Sequence, residues 1–247
     1  MTDVVSAPEG RTGTGGPSLL ARVFGVLLEP RATYAAVADH PRWLGVLALT
    51  LGLSAAASYL MTSSPEFQDQ ILAQQLRAIQ ASGGTVSDQQ VAGLETFVRY
   101  LGVIYVCAIL IIGPIFAAIV AGVLMTVFTT LLGGDGTFRQ MFAVVAHSGV
   151  ITTLSTLFSA GMIAAGVPMT GTRPPGANLG VFAPMLEETS YAASLLGAID
   201  LFWLWWLISL AIGLGALYRR SSAAIATTFI GLYVLVALLI AMLTSGA

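Results

Sequence analysis

The chain lacks lysine altogether and has few charges of any kind. All ten basic residues are arginine, and only 9% of the 247 residues are charged, against roughly 25% in soluble domains. Hydrophobic residues make up 56%, and the net charge is −2. No basic cluster is larger than Arg219-Arg220, which argues against nucleic acid as a partner. This composition is typical of a protein that crosses a membrane several times.

The chain has a single cysteine, Cys107, which lies inside an apolar run. An intrachain disulfide and a metal site built on paired thiolates are therefore excluded. The sequence also lacks a His-Glu-x-x-His zinc motif, a Gly-x-Ser-x-Gly nucleophile elbow, a phosphate-binding loop and a dinucleotide fingerprint. We expect a protein that is not an enzyme and that needs no cofactor and no metal.

The beginning of the chain divides into a tail and a short helix. Residues 1–17 are rich in Gly, Ser, Thr and Pro, and such a segment buries too little apolar surface to fold, so we predict a disordered cytoplasmic tail. Residues 18–29 place their large apolar side chains largely on one helical face, with Arg22 and Glu29 as the only charges. This pattern predicts a short amphipathic helix on the membrane surface. Residues 18–247 are predicted to form one membrane domain.

Five apolar stretches are long enough to cross a bilayer, which takes about 20 helical residues. They are residues 43–62, 101–132, 141–167, 191–217 and 223–243. The second stretch has 32 residues and no charge. Two crossings would need about 40 residues and a turn, so we predict that it crosses once. The sequence therefore predicts an all-α membrane protein with five transmembrane helices.

A short turn at residues 133–140 joins the second span to the third. Gly133 and Gly134 can adopt the left-handed backbone that closes a helix. Thr137 and Gln140 have the spacing of a capping box, which begins one. We predict that these four residues are structural and that both helices end at the same membrane surface.

The third span carries the most polar lining in the chain. Ser148, Thr152, Ser155 and Ser159 recur at spacings of four, three and four residues and share one helix face beside His147. A polar stripe within lipid must face protein or water. Hydrogen bonding between helices and a water-filled path are both compatible with this pattern.

Asp200 is an ionisable residue within the fourth span. Spans three and four are antiparallel, and we predict that Asp200 and His147 are close neighbours inside the bundle. Together with Ser148, Thr152 and Ser155 they form a candidate intramembrane polar cluster. A structural polar contact and a role in handling protons or ions both remain open for this pair.

The arginines predict the orientation, because five spans put the termini on opposite sides of the membrane. With the N-terminus inside, seven arginines are cytoplasmic and three are external, namely Arg77, Arg99 and Arg173. This arrangement obeys the positive-inside rule. The absence of lysine and the abundance of Ala, Gly and Arg are typical of a high-GC bacterium. We predict a bacterial plasma membrane protein with a cytoplasmic N-terminus and an external C-terminus.

Four short motifs follow one another along residues 18–243. They are Leu27-Leu28-Glu29-Pro30 with Tyr34, the 133–140 turn, Asp200-Leu201-Phe202 with the tryptophans after it, and the arginine turn before the last span. In this order the chain resembles the Yip1 domain family of five-span membrane proteins. The resemblance implies links to early secretory transport and Rab-type GTPases only for eukaryotic members. Their Asp-Leu-Tyr-Gly-Pro motif is absent here, so a Rab-type GTPase partner is not expected.

Two functions are compatible with these features. The favoured one is a non-enzymatic membrane protein that organises or binds other membrane components through small-residue helix faces and its surface helices. Its partners would be the lipid bilayer and other membrane proteins or a second copy of the chain. The alternative is a transporter or channel for a small solute, an ion or protons. The two differ in whether water reaches the third span.

Overall fold

The computed structural model describes residues 17–167, 175–183, 185–187 and 190–244. These residues are mainly helical, with a 3-10 turn at Leu179–Phe182 and one isolated β-bridge between Asn178 and Asp200. The predicted disordered tail falls almost wholly on residues 1–16, which lie outside the described residues.

Five helices are long and apolar enough to cross a membrane, as predicted. In chain order the helices are α1 (Leu19–Leu28), α2 (Pro30–Asp39), α3 (Leu44–Thr62), α4 (Pro65–Ala81), α5 (Asp88–Met125), α6 (Phe138–Ala164), α7 (Tyr191–Ala198), α8 (Leu201–Tyr218) and α9 (Ser222–Thr244). The spans are α3, α5, α6, α8 and α9. The fold class and the number of spans predicted from the sequence are thus confirmed.

Successive spans run in opposite directions, so the bundle has two ends. We call the end that carries the short turns at residues 132–137 and 219–221 the turn end. The opposite end, at which α3 and α6 end and α8 begins, is the loop end. Since α3 begins at the turn end and α9 finishes at the loop end, the first and last spans leave the bundle on opposite sides.

Helix α5 confirms that the longest apolar run crosses only once. One helix runs through Pro114 and continues as a π-helical turn, Thr126–Leu131. Ser87 begins it with a capping box to Gln90. These 44 residues would reach about 66 Å, twice the thickness of a roughly 30 Å hydrocarbon core. The first turns of α5 therefore extend past the loop end, where Val98 packs with Phe67 of α4.

The fourth span differs from the prediction of one helix over residues 191–217. It is two helices, α7 and α8, separated by the extended residues Ile199 and Asp200. The Oδ1 atom of Asp200 accepts hydrogen bonds from the backbone N–H groups of Phe202 (2.8 Å) and Trp203 (3.1 Å). An N-cap of this kind satisfies the free amides at a helix start. The aspartate therefore begins a helix instead of lying in the middle of one.

Helix α6 lies at the centre of the bundle and contacts α1, α2, α3, α5 and α8. All of residues 141–148 are buried. A Cβ atom at Gly213 of α8 would collide with Val144 of α6 and with Tyr34 of α2. Three helices therefore approach one another closely at this point because α8 has a glycine there.

Helix α1 is the short N-terminal helix predicted from the sequence, and its arginine, Arg22, faces the bundle instead of the solvent. Arg22 and Val26 are buried, whereas Leu20, Phe24 and Leu28 are exposed. The exposed residues recur every four positions and form one apolar face. The α1–α2 pair rests on α6 and α8 and leaves this face exposed.

Candidate functional site

The turn between α5 and α6 closes one helix and begins the next. Gly133 has a φ of +67°, in the left-handed region, whereas Gly134, for which the sequence allowed the same conformation, has no positive φ. Thr137 and Gln140 form both hydrogen bonds of a capping box. Gln140 also donates from Nε2 to the carbonyl oxygen of Ala38 at 2.9 Å, which ties α6 to the end of α2.

The ring of Tyr218, at the end of α8, fits against this turn. Side chains at Gly134 or Gly136 would collide with the ring. The ring also stacks on Phe128 at a centroid distance of 5.2 Å, and the hydroxyl lies 2.8 Å from Oγ1 of Thr129. The glycines of the turn therefore make room for the ring of Tyr218, which packs between the end of α5 and the turn that leads into α6.

His147 is fully buried and interacts with Arg22. Its Nε2 atom lies 3.4 Å from Nη1 of Arg22, and its Nδ1 atom lies 2.7 Å from the carbonyl oxygen of Ala143. A guanidinium has only donors, so Nε2 must accept the hydrogen bond from Arg22. The proton of the neutral ring then sits on Nδ1 and is donated to Ala143. His147 is thus a fixed acceptor for an arginine of another helix.

Arg22 joins α1 to two other parts of the bundle. Besides contacting His147, it donates from Nη1 to the carbonyl oxygen of Arg42, just before α3. Its Nε atom is buried and has no hydrogen-bond partner among the described residues. Burial lowers the pKa of the Arg22 guanidinium, and the positive charge of Arg42 lowers it further. We interpret Arg22 as the anchor of α1.

The predicted pairing of His147 with Asp200 is wrong. The ring of Phe158 on α6 packs against that of Phe202 on α8, with centroids 5.5 Å apart. Asp200 therefore lies near the level of Phe158, which is eleven residues, or about 16 Å, along α6 from His147. The reason is that Asp200 caps α8 at the loop end, whereas His147 lies in the half of α6 nearer the turn end.

The hydroxyl stripe of α6 does not form one buried lining. Ser148 is buried and donates to the carbonyl oxygen of Val145 at 2.8 Å. Thr152 is exposed and donates to that of Gly149, also at 2.8 Å, and Ser155 is only partly buried. The hydroxyls of Ser148 and Thr152 are thus used within their own helix. The structure does not gather the stripe around Asp200.

The polar contact between α3 and α6 comes from Thr153, which the sequence reasoning missed. Its Oγ1 accepts a hydrogen bond from Oγ of Ser54 at 3.1 Å and lies 3.3 Å from the carbonyl oxygen of Thr50. Thr153 is buried, and Thr152 beside it is not. No signal in the sequence distinguishes these two threonines, because both lie in the same apolar run.

Tyr34 makes a second contact that was not predicted, although it belongs to a recognised motif. Its side chain is fully buried, and its hydroxyl lies 2.7 Å from Oγ of Ser209 on α8. Burial raises the pKa of Tyr34, and the hydrogen bond between Tyr34 and Ser209 partly opposes this shift. This contact fixes α2 against α8 and explains why a tyrosine suits that position.

An open groove of about 700 Å³ lies on the side of the bundle, between α5, α8 and α9. Asp200 is the one charged residue among its described lining residues, which are Ile119, Val120, Val123, Leu124, Gly176, Asn178, Gly197, Ala198, Asp200, Trp203, Trp206, Leu207, Leu210, Phe229, Leu232, Tyr233, Val236 and Ile240. The groove thus has apolar walls and a small polar group at the break between α7 and α8.

Tyr233 of α9 holds the polar end of the groove in place. Its hydroxyl donates to the carbonyl oxygen of Ala198 (2.9 Å) and accepts from the backbone N–H of Asp200 (3.0 Å). Both backbone groups belong to the helix break and would otherwise lack helical partners. Across the described part of the chain, no three His, Cys, Asp or Glu side chains lie close enough together to hold a metal ion.

Comparison with known proteins agrees with this architecture. The Yip1 domain family matches residues 24–244. The chain is also similar to "Membrane protein YknW" of Bacillus subtilis (strain 168), with 23% identity over 239 residues, which cover 96% of this chain and 95% of that protein. No solved structure matches the chain. With five helices able to span a membrane and a family match over nearly its whole length, the chain is a multi-span membrane protein that belongs to the Yip1 domain family.

Proposed function

We propose that this protein is a non-enzymatic membrane protein that binds and organises other membrane components through the outer sides of α5 and α9. The observation that carries the proposal is how little of these helices the bundle covers. In their most apolar stretches, 6% of the residues of α5 and 17% of those of α9 are buried, against 61% for α6. Exposed apolar surface on this scale is typical of a site that meets lipid or another membrane protein.

The interior polar groups support a role without catalysis. His147, Thr153 and Tyr34 each bond to a neighbouring helix. Groups engaged in this way stabilise the packing of helices. The partners that fit the proposal are the lipid bilayer and other membrane proteins or a second copy of the chain, whereas nucleic acid and a Rab-type GTPase are not expected.

Photo-crosslinking tests the proposed surface. A photoreactive amino acid at Ile111 or Phe116 of α5, both of which are at least half exposed, should give a discrete protein adduct in native membranes. The same group at Leu60 of α3, which is also exposed, should not. If α5 and α9 give no discrete adduct and nothing copurifies with the protein, the proposal is wrong.

We also propose that the protein lies in a bacterial plasma membrane with its turn end in the cytoplasm. Arg139, Arg219 and Arg220 lie at that end, as the positive-inside rule requires. A reporter that is active only outside the cytoplasm should therefore work when fused after the last residue. The same reporter inserted after Arg220 should stay silent, and the reverse pattern would contradict the orientation.

One observation favours a transporter as the second candidate. The break between α7 and α8 resembles the discontinuous helices that form substrate sites in transporters. Cysteines at Ser148 and Ser209, both buried, distinguish the two functions in a Cys107→Ala background. Transport predicts that aqueous thiol reagents label both positions. Our proposal predicts labelling only at an exposed control cysteine at Ser82.

A further inference from the structure

The groove between α5, α8 and α9 has the length of one lipid leaflet. It follows α8 from Asp200 to Leu210, a distance of about 15 Å at 1.5 Å per residue. The hydrocarbon core of a bilayer is about 30 Å thick, so one leaflet takes up about half of it. The groove therefore extends from the loop end of α8 to about the middle of that helix.

The polar and apolar side chains of the groove are arranged as in a lipid molecule, with the polar groups at one end. Val123 of α5, Leu207 of α8 and Val236 of α9 supply apolar surface along its length. Its polar side chains, which include Asp200 and Tyr233, gather at the helix break. An amphiphile with one polar end and a long apolar body is complementary to this distribution.

The negative charge of Asp200, at the polar end of the groove, favours some lipid headgroups over others. The Oδ1 atom of Asp200 accepts both backbone N–H groups at the start of α8. The other oxygen, Oδ2, has no hydrogen bond from any residue that the structure describes, and Asp200 lines the groove. A carboxylate oxygen attracts a cationic donor and repels a phosphate. A primary ammonium offers three N–H donors, whereas the quaternary ammonium of choline offers none.

We infer that this groove binds one acyl chain of a phospholipid with a primary ammonium headgroup, of the phosphatidylethanolamine type, and that the ammonium donates to Asp200. This inference deepens the proposed function, since it names one of the membrane components that the protein binds. It concerns the loop-end leaflet only. Protein partners on the remaining surface of α5 are a separate question.

The test measures lipid retention by the purified full-length protein with native mass spectrometry. Phosphatidylethanolamine, phosphatidylcholine and phosphatidylglycerol with identical acyl chains are offered in equal amounts. We expect the protein to retain about ten times more phosphatidylethanolamine than either of the other lipids, because one hydrogen bond to a charged group changes the affinity by about this factor. Asp200→Asn should abolish this preference without unfolding the protein, because asparagine is an equally good N-cap. Asp88→Asn, which removes an exposed carboxylate from α5, should leave it intact.

A second pair of variants tests the place of binding. Val236→Trp fills the groove and should reduce the retention of all three lipids, whereas Leu235→Trp alters a neighbouring exposed residue outside the groove and should not. Equal retention of the three lipids by the natural protein, or unchanged retention by Val236→Trp, would overturn the inference. So would disulfide-linked dimers of Val236→Cys in a Cys107→Ala background, because a second copy would then occupy the groove. A crosslinked partner at Ile111 without lipid selectivity would leave the proposed function standing and reject the lipid site.

Discussion

Helix α5 is the more apolar of the two longest spans, yet α6 fills the centre of the bundle. In a water-soluble protein the most apolar helix would be the buried one. Here the surroundings of the bundle are apolar as well, so α5 gains nothing by turning inward. The helix with the smaller apolar content and several hydroxyls is the one surrounded by protein.

The contrast shows what holds such a bundle together. Lipid tails are as apolar as leucine, so close packing and hydrogen bonds between helices must provide the stability. Helix α6 has both, through Val144 against Gly213 and through Thr153 against Ser54. Helix α5 also approaches α3 closely, at Gly113 against Leu51, but most of its apolar surface faces outward. Substitutions should therefore act very differently on the two helices.

The largest effect is expected at the contact of α6 with α8. Gly213→Val places a side chain against Val144 and Tyr34 and should lower the free energy of unfolding by about 3 kcal/mol, because it overpacks a tight contact. Gly122→Val on α5 is the matched control, since no atom lies within 4 Å of the added Cβ. Unfolding by titration with a denaturing detergent gives both values. Equal losses for the two variants would refute the contrast.

A smaller effect is expected when α1 loses its anchor on α6. His147→Leu removes the acceptor for the buried Arg22 and should cost about 2 kcal/mol, because a buried donor loses its partner. Hydrogen exchange should rise in the amides of α1 and stay unchanged in α5. His40→Leu replaces the exposed histidine and should change neither quantity. Unchanged protection of α1 in His147→Leu would show that Arg22 is held by Arg42 alone.

Removing one methylene should also distinguish the two helices. Ile151→Val on α6 affects a residue with no exposed surface and should cost about 1 kcal/mol. Ile111→Val on α5 affects a residue that is 63% exposed and should cost almost nothing. Both are measured by the same detergent titration. A loss at Ile111 as large as that at Ile151 would indicate that a partner covers α5 under the conditions used.

The smallest effect is expected for the hydroxyl pair of α6. Thr153→Val removes the hydrogen bond between α3 and α6 and should cost about 0.6 kcal/mol, the average for such bonds in membrane proteins. Thr152→Val removes a bond within one helix at an exposed position and should cost less. If Thr152→Val proved the more damaging variant, the assignment of the interhelical bond to Thr153 would be wrong.

Much of the fold was predictable from the residues. A long apolar run predicts a crossing whatever surrounds it, and the first, third and fifth spans were placed within three residues of their helices. The second span was predicted from residue 101, whereas its helix begins at Asp88, because an apolar run does not show the more polar turns that precede it. The turn was predictable as well, since Gly133 and the pair Thr137–Gln140 act on their own backbone. The fourth span was misplaced at its start, because hydropathy does not show that Asp200 caps a helix within an apolar run.

The candidate site was less predictable. The sequence showed which residues are polar within the spans, including His147, Asp200 and the threonines of α6. It did not show that His147 meets Arg22, or that Asp200 lies at the edge of a groove about 16 Å further along the bundle. Neither the contact of His147 with Arg22 nor the position of Asp200 is set by residues nearby in the sequence. Each depends on how one helix is rotated and shifted along its axis relative to another.

The sequence by itself determined that this protein is a five-span membrane protein with a capped turn at one end, since these properties depend on apolar length and on local backbone chemistry. Only the tertiary structure decided that α6 is central, that α5 faces outward and that Thr153 rather than Thr152 joins two helices. The physical reason is that lipid and protein interior are equally apolar. Which face of a helix turns inward is then decided by close approach at residues such as Gly213, and that approach exists only once the helices are assembled.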